Sequence, residues 1–399
     1  MRRVARRRFG IRRLRAEQAE AIKAVLAGRD TLAVLPTGYG KSLIYQVPAM
    51  LWNRPTLVAS PLIALMQDQE NALRKRGVPV VRLDSTLGVA QRRENLGRVS
   101  KGGRLIVLTT PETLESKDAR PALIESRPQL LCIDEAHCIS EWGHDFRPAY
   151  LRLADARRCL KIPQVLALTA TATPRVRQDI AKHLRMKDPK IVVTSPHRPN
   201  LTLSAEIVPG NRKIKRAGML LRRLRRPGIV YCATKAAVDE VHGALVLAKI
   251  PCARYHGGMK TVERNEAQQK YMKSGRRMVM VATSAFGMGI DKRDIRYIMH
   301  FEVPGSLEQY TQEAGRAGRD GRRSNCILLF DPADLKIQEF LSGKKKGRSE
   351  TERREDAHRL SAVAEYAHTD ECRSVFIRRW FGEENPPKCG NCDRCRPRS

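Results

Sequence analysis

Two short polar strings, each at the end of an apolar run, restrict this chain more than anything else in it. The run Thr31-Leu32-Ala33-Val34-Leu35 leads into Gly38-Tyr39-Gly40-Lys41-Ser42, and Leu130-Leu131-Cys132-Ile133 leads into Asp134-Glu135-Ala136-His137. The first string reads as a loop that wraps nucleotide phosphates. Its glycines let backbone N–H groups approach the phosphates, Lys41 reaches the β/γ oxygens, and the Ser42 hydroxyl ligates Mg²⁺. The second string follows a buried strand that delivers a carboxylate to its C-terminal end. There Asp134 holds the Mg²⁺ shell and Glu135 polarises a water for attack on the γ-phosphate. In this order the two strings indicate an NTPase.

The phosphate loop departs from the common GxxxxGK[ST] pattern, because Leu35 stands where the first glycine belongs. The string Leu35-Pro36-Thr37-Gly38-Tyr39-Gly40-Lys41-Ser42 resembles the form found in superfamily-two helicases. A chance glycine turn before a helix is the bland alternative. Against it stand a legible strand before the loop (Asp30 to Leu35) and a legible helix after it (Lys41 to Trp52).

Charge narrows the partners. With 75 Lys+Arg against 42 Asp+Glu the formal net charge is +33, which implies a polyanion. A membrane surface is the competing polyanion, but the chain has no apolar stretch of about 18 residues and no basic amphipathic anchor. The first 15 residues hold eight arginines and no acid. A transit peptide is arginine-rich in this way, but this stretch lacks serine and runs directly into Leu14-Arg15-Ala16-Glu17-Gln18. No secretory apolar segment follows Met1, so an intracellular protein is expected, in the cytoplasm or nucleoid of a bacterium or the nucleus of a eukaryote. The ten cysteines agree with that compartment. Cys132, Cys138, Cys159, Cys232, Cys252 and Cys326 are scattered and read as small buried hydrophobes.

Short apolar runs alternate with helical patterns from residue 25 to 195: Thr31–Leu35, Thr56–Ala59, Val78–Leu83, Leu105–Thr109, Leu130–Asp134, Val165–Thr169 and Ile191–Val193. Such alternation means βαβ units and a mostly parallel sheet, an α/β fold. Ser195-Pro196-His197-Arg198-Pro199-Asn200 interrupts it as a hinge. A second series follows at Gly228–Cys232, Cys252–Tyr255, Met278–Ala282, Tyr297–Phe301 and Cys326–Phe330, without a phosphate-loop lysine of its own. The domains are therefore expected at 1–195, the hinge at 196–204, a second lobe at 205–342 and a small terminal subdomain at 343–399. In that subdomain Glu350 to Trp380 reads as helical.

Beyond the nucleotide strings, residues 9 to 396 resemble the RecQ family of superfamily-two DNA helicases, on motifs that occur in order. Phe9-Gly10, Leu14-Arg15 and Gln18 are similar to the family's adenine-reading motif. Ser60-Pro61-Leu62-Ile63-Ala64-Leu65-Met66-Gln67-Asp68-Gln69 matches the next motif, near the DNA track. Thr169-Ala170-Thr171-Ala172 matches the one that links the γ-phosphate site to the DNA-binding face. Val281-Ala282-Thr283-Ser284-Ala285-Phe286-Gly287-Met288-Gly289-Ile290-Asp291 and Gln312-Glu313-Ala314-Gly315-Arg316-Ala317-Gly318-Arg319-Asp320-Gly321 carry the likeness into the second lobe. The resemblance implies two RecA-like lobes and a nucleotide set of Arg15, Gln18, Thr37, Gly38, Tyr39, Gly40, Lys41, Ser42, Gly289 and Asp291. His137 and Gln312 join the catalytic group. Arg316 and Arg319, three apart, are expected to share a helix face. Arg319 would be the finger that meets the γ-phosphate on lobe closure, with Arg316 in support.

The string after the carboxylates, His137-Cys138-Ile139-Ser140-Glu141-Trp142-Gly143-His144-Asp145-Phe146-Arg147-Pro148, resembles the aromatic-rich loop of the family. Aromatic residues are only 5% of the chain, yet Trp142 and Phe146 share this polar loop. Stacking on unpaired bases and arginine on phosphate suit such a loop. Ser60, Trp142, His144, Phe146, Arg147 and Thr283 are the expected DNA contacts. Core residues are the alternative for the two aromatics.

At the other end, Cys372 is followed by Cys389-Gly390-Asn391-Cys392-Asp393-Arg394-Cys395. Four thiolates with two-residue gaps suit tetrahedral Zn²⁺, as in the family's zinc subdomain, although an iron–sulfur cluster uses four cysteines too. The sequence stops after this turn, without the winged-helix and HRDC modules of many family members, as a fragment or a minimal form would. The expected activity is an ATP- and Mg²⁺-dependent 3′→5′ DNA helicase with one structural Zn²⁺, acting on single-stranded and tailed or forked duplex DNA in repair, recombination or replication. An RNA helicase of the DEAH-box kind, or a zinc and nucleic-acid binding module with a vestigial phosphate loop, are the alternatives.

Overall fold

In the computed structural model, residues 1–143, 145–275, 277–287, 292–343 and 350–396 are described. The chain divides into two compact units, Met1–Ser195 and Pro196–Ser399. No described helix is long and apolar enough to cross a membrane.

The first unit is a seven-stranded sheet of β1 (Thr31–Val34), β2 (Thr56–Ala59), β3 (Val80–Leu83), β4 (Ile106–Thr109), β5 (Leu130–Ile133), β6 (Gln164–Thr169) and β7 (Lys190–Val193). Their order is β3-β4-β2-β5-β6-β1-β7, and every pair is parallel. A parallel sheet is covered by helices on both faces, so its strands read as unbroken apolar runs, and this is why they were legible. Alternate residues of β1 enter opposite cores: Leu32 and Val34 join one cluster, Ala33 the other. The order has a chemical consequence. Strands β5, β6 and β1 are neighbours, so the loops that leave their C-terminal ends are brought side by side, where open α/β sheets bind ligands.

The second unit is a six-stranded sheet of β8 (Leu201–Ile207), β9 (Gly228–Tyr231), β10 (Cys252–Tyr255), β11 (Val279–Ala282), β12 (Tyr297–His300) and β13 (Ser324–Phe330), ordered β10-β11-β9-β12-β13-β8 and again parallel. Strand β8 begins inside the stretch read as a hinge. It is an edge strand, mostly half-buried, so Leu-Thr-Leu-Ser-Ala-Glu-Ile alternates apolar and polar where the central strands do not.

Two helices differ from expectation. The segment after the phosphate loop is helical only over Leu43–Ala49. The terminal helical stretch is two helices, Glu350–His368 and Arg373–Trp380, and Cys372 caps the second. Four of the six scattered cysteines are buried as expected, but Cys252 is half-buried and Cys159 is exposed.

Candidate active site and cysteine cluster

The phosphate loop follows β1 with Gly38 and Gly40 both at positive φ. Lys41 Nζ donates to the Leu35 carbonyl at 3.2 Å, folding its ammonium back across the loop. Gln18 is buried and holds the loop from behind. Its amide donates to the carbonyls of Tyr39 (2.8 Å) and Gly40 (3.1 Å), and accepts from the Arg15 N–H at 3.0 Å. The Arg15 guanidinium lies 4.2 Å over the Tyr39 ring, and the Tyr39 hydroxyl donates to Glu17 at 2.5 Å. Arg15, Gln18 and Tyr39 thus form one cluster, with the Gln18 amide engaged by loop backbone. Thr37 and Ser42, the helix cap, complete the loop.

Asp134 and Glu135 follow β5. Burial, and then the charge of Glu135, push the Asp134 carboxyl up to about 7, against the pull of Lys41. A buried carboxylate short of positive charge is the donor expected of a divalent-cation site, and the Asp134 carboxylate and Ser42 hydroxyl are oxygen donors of the kind Mg²⁺ takes. Glu135 sits in the left-handed region at φ +50, which turns its side chain out of the strand line. Its Oε2 is buried and makes no hydrogen bond, although it lies 3.4 Å from His137 Nδ1. Such an oxygen is placed to accept from a water. His137 Nδ1 is also 2.9 Å from Thr169 Oγ1 at the end of β6, and Thr169 Oγ1 accepts from the Thr171 N–H at 3.2 Å. The neighbouring ends of β5 and β6 are thereby joined.

The aromatic loop is fastened to the short helical turn Ala136–Ile139. Gly143 N–H donates to the Ser140 carbonyl (2.9 Å), Trp142 N–H to Ser140 Oγ (3.2 Å) and Arg147 N–H to the Cys138 carbonyl (2.9 Å). Gly143 is required by close approach, since a Cβ there would lie 2.5 Å from the His137 carbonyl oxygen. Trp142 packs partly against the core, and the Arg175 guanidinium covers its ring at 3.1 Å from the centroid. Base stacking on that face requires Arg175 to move. Arg147 reaches Asp145 (3.3 Å) and the Pro61 carbonyl (3.4 Å), and Phe146 is half-buried. Ser60 is buried at 1% exposure, so its hydroxyl is inside the fold. His144 lies outside the described residues.

In the second unit Thr283 follows β11, half-buried. Gly289 and Asp291 lie outside the described residues. The helix Leu307–Ala314 ends before the arginines, so Arg316 and Arg319 do not share a helix face. Gly315 caps the helix, and a turn carries both side chains. Gln312 is on the last turn of the helix. Arg316 is buried and donates to the Gly287 carbonyl. Arg198 grips this turn, donating to the carbonyls of Gly315 (3.3 Å), Ala317 (3.2 Å) and Gly318 (2.8 Å), and Asn200 adds a bond to Gly318 at 2.9 Å. Sequence reading passed over Arg198 and Asn200 because the flanking prolines marked only a break. Their signal was two hydrogen-bonding side chains alternating with those prolines.

The four terminal cysteines converge, with every pair of sulfurs within 4.8 Å. Cys372–Cys389 is 3.5 Å, Cys372–Cys392 3.9 Å and Cys389–Cys395 4.0 Å. Four sulfurs about 2.3 Å from one Zn²⁺ would stand about 3.8 Å apart, whereas a disulfide needs about 2.05 Å. The set fits a tetrahedral metal. Burial pushes the Cys372 thiol up, but the N–H groups of Cys389 and Val375 outweigh it and bring the thiol down to about 7. The turn is tied to β8: the Asp393 carboxylate accepts from Ala205 N–H (3.1 Å) and from Arg373 (2.6 Å), and Asn391 donates to the Pro199 carbonyl (2.9 Å).

Comparison with known proteins agrees with this geometry. Residues 15–180 match the DEAD/DEAH box helicase family model, 212–321 the helicase conserved C-terminal domain, and 332–396 the RecQ zinc-binding domain. The chain is 41% identical to the ATP-dependent DNA helicase RecQ of Bacillus subtilis over 97% of its own length and 65% of the relative's. It is 41% identical to the probable ATP-dependent DNA helicase RecS of the same organism, over 84% of its length and 67% of the relative's. Among solved structures, the DUF1998 helicase MrfA bound to DNA superimposes with a TM-score of 0.67 at 21% identity, covering 86% of this chain and 52% of that one, a likeness of fold. Both units are RecA-like, and the last carries a helical zinc-binding subdomain.

Proposed function

The chain belongs to the RecQ family of DNA helicases, and on that premise we propose that it is an ATP-driven motor that moves 3′→5′ along single-stranded DNA and parts tailed or forked duplexes. One observation carries the reading: the phosphate loop, the Asp134–Glu135 pair and Thr169 leave adjacent strand ends, and the aromatic loop is bonded to the turn between them. Lys41 leaves the Leu35 carbonyl to neutralise the β/γ-phosphates, as phosphate-loop lysines do. Ser42 and Asp134 would hold Mg²⁺, whose charge counters that of the phosphates. The Glu135 oxygen that makes no hydrogen bond orients the attacking water. His137, between Glu135 and Thr169, keeps that carboxylate in register with the Thr169–Thr171 turn. A base that displaces Arg175 from Trp142 shifts the loop, and the loop's bonds to Ser140 and Cys138 carry the shift to Glu135. Arg319, with Arg316 beside it on the turn that Arg198 holds, supplies guanidinium charge to the γ-phosphate when the units close on ATP. Coupled closure and reopening would serve intracellular DNA repair, recombination or replication.

Strand displacement by the chain, with ATP and Mg²⁺, on duplexes carrying a 3′ or a 5′ single-stranded tail is the test. Displacement of the 3′-tailed substrate alone supports the reading. Displacement of the 5′-tailed one, or turnover stimulated as well by RNA as by DNA, would overturn it.

A further inference from the structure

The arginine-rich N-terminus is not consumed by the function described above. Residues Arg2–Phe9 form a helix held to the core by Ala5 and Phe9, and Gly10 closes it. Its outward arginines border a hollow of about 310 Å³, in which Arg3, Arg7 and Arg8 are joined by Arg104, with Met50 and Pro79 in the wall. No acidic residue lines it. Among the described residues Arg3, Arg7, Arg8 and Arg104 pair with no carboxylate, and all four are exposed. Arg104 has one long bond, to the Trp52 carbonyl at 3.4 Å.

Helix chemistry explains only part of this set. Arg7 and Arg8 complement the helix C-terminus. Arg3 is in the first turn, where a cation is unfavourable, and one turn from Arg7, where like charges repel. Arg104 comes from another element altogether, just before β4. Like charges drawn to one hollow from two elements are relieved by an anion. Planar guanidinium forks, rather than ammonium groups, suit the oxygens of a phosphate.

Position separates the hollow from the catalytic site. Pro79 and Arg104 precede β3 and β4, at the N-terminal ends of adjacent strands, whereas the phosphate loop, Asp134 and Thr169 leave C-terminal ends of the same parallel sheet. The two sites lie on opposite rims. We infer that Arg3, Arg7, Arg8 and Arg104 form a second, sequence-independent anchor for the phosphate backbone of DNA, on the rim of the first unit away from ATP hydrolysis. Only the identity of the polyanion rests on the helicase reading. The anchor would retain the strand while the catalytic rim releases and regrips it.

The test is the salt dependence of single-stranded DNA binding by the full chain without nucleotide. Each phosphate contact contributes about 0.7 to the slope of log affinity against log salt. Arg3→Gln/Arg7→Gln/Arg8→Gln should lower that slope by about 2, and Arg104→Gln alone, on a different element, by about 0.7. DNA-saturated ATP turnover should stay at the wild-type value. Unchanged slopes in both variants, with wild-type binding intact, would overturn the anchor. Polyglutamate of equal charge that displaced DNA from the wild type and not from the triple variant would overturn the nucleic-acid occupant in favour of an acidic protein segment. Failure of the wild type to bind DNA at all would instead count against the helicase reading.

Discussion

Replacing Gly143 with Ala tests the joint between the aromatic loop and the catalytic turn. The added Cβ would meet the His137 carbonyl oxygen at 2.5 Å and that of Ser140 at 3.0 Å, where ordinary contact begins at 3.4 Å. One side must therefore retreat by roughly 1 Å. Ala136, His137, Cys138 and Ile139 are all at most 2% exposed and locked in the core, whereas Glu141 is exposed and Trp142 and Phe146 are half-buried. The loop yields, and Trp142 loses its contact with Arg175, a loss of about 1 kcal/mol. In a unit of this size that lowers the melting point by roughly 2–4 °C. A displacement of about 1 Å in a positioning element costs up to about 100-fold in rate. Turnover with saturating single-stranded DNA should fall roughly 10- to 100-fold, while DNA-independent turnover stays within about twofold. Steady-state phosphate release with and without DNA, beside a thermal melt, reads both. Stimulated turnover within twofold of wild type in a variant that melts as predicted would refute the joint.

Three further outcomes follow from particular residues. Burial lifts Asp134 from 3.8 to about 7, so the native unit holds a proton there that the unfolded chain releases, and stability falls as pH rises from about 4 to 7. Asp134→Asn should therefore melt at a higher temperature than wild type at pH 8 and at about the same temperature near pH 4; a lower melting point at pH 8 would contradict this. Arg198→Ala removes three carbonyl bonds from the arginine turn, so kcat should fall at least about tenfold while nucleotide affinity stays within about twofold, and an unchanged kcat would remove its positioning role. Purified protein should carry one Zn²⁺ per chain, lost with helical signal when Cys392 and Cys395 become Ser; iron, or no metal in a well-folded preparation, would contradict the assignment.

What could be read from the sequence follows the physics of a parallel sheet. Strands buried on both faces are continuous apolar runs, and a polar string begins where each run stops, so the positions of Lys41, Asp134 and Thr169 beyond or at their strand ends are legible with the strands. The cysteine spacing was equally legible, because thiolates that share an ion need a tight turn. Edge strand β8 was not, since one half-exposed face breaks its apolar run and the prolines before it point to a hinge. Nor could sequence show that Gln18 spends its amide on the phosphate loop, that Arg175 covers Trp142, or that Arg198 holds the arginine turn. Each of these pairs residues far apart in the chain through one hydrogen-bonding or cationic group, and no periodicity records it. The expected helix face for Arg316 and Arg319 fails for a local reason: the helix stops at Ala314, and Gly318, between the two arginines, takes a left-handed φ of +55 that a helix does not continue through.

The central proposal is that DNA is sensed by a loop bonded to Cys138 and Ser140, on the turn that follows Asp134 and Glu135. ATP turnover by the Trp142→Ala/Phe146→Ala chain, titrated with single-stranded DNA, tests it most directly. Turnover without DNA should stay within about twofold of wild type, and stimulation by DNA should flatten. Affinity should drop only modestly, because stacking adds about 1–3 kcal/mol per base to a binding energy that arginine and lysine dominate. Stimulation as strong as in the wild type would mean that the loop does not report DNA to Glu135.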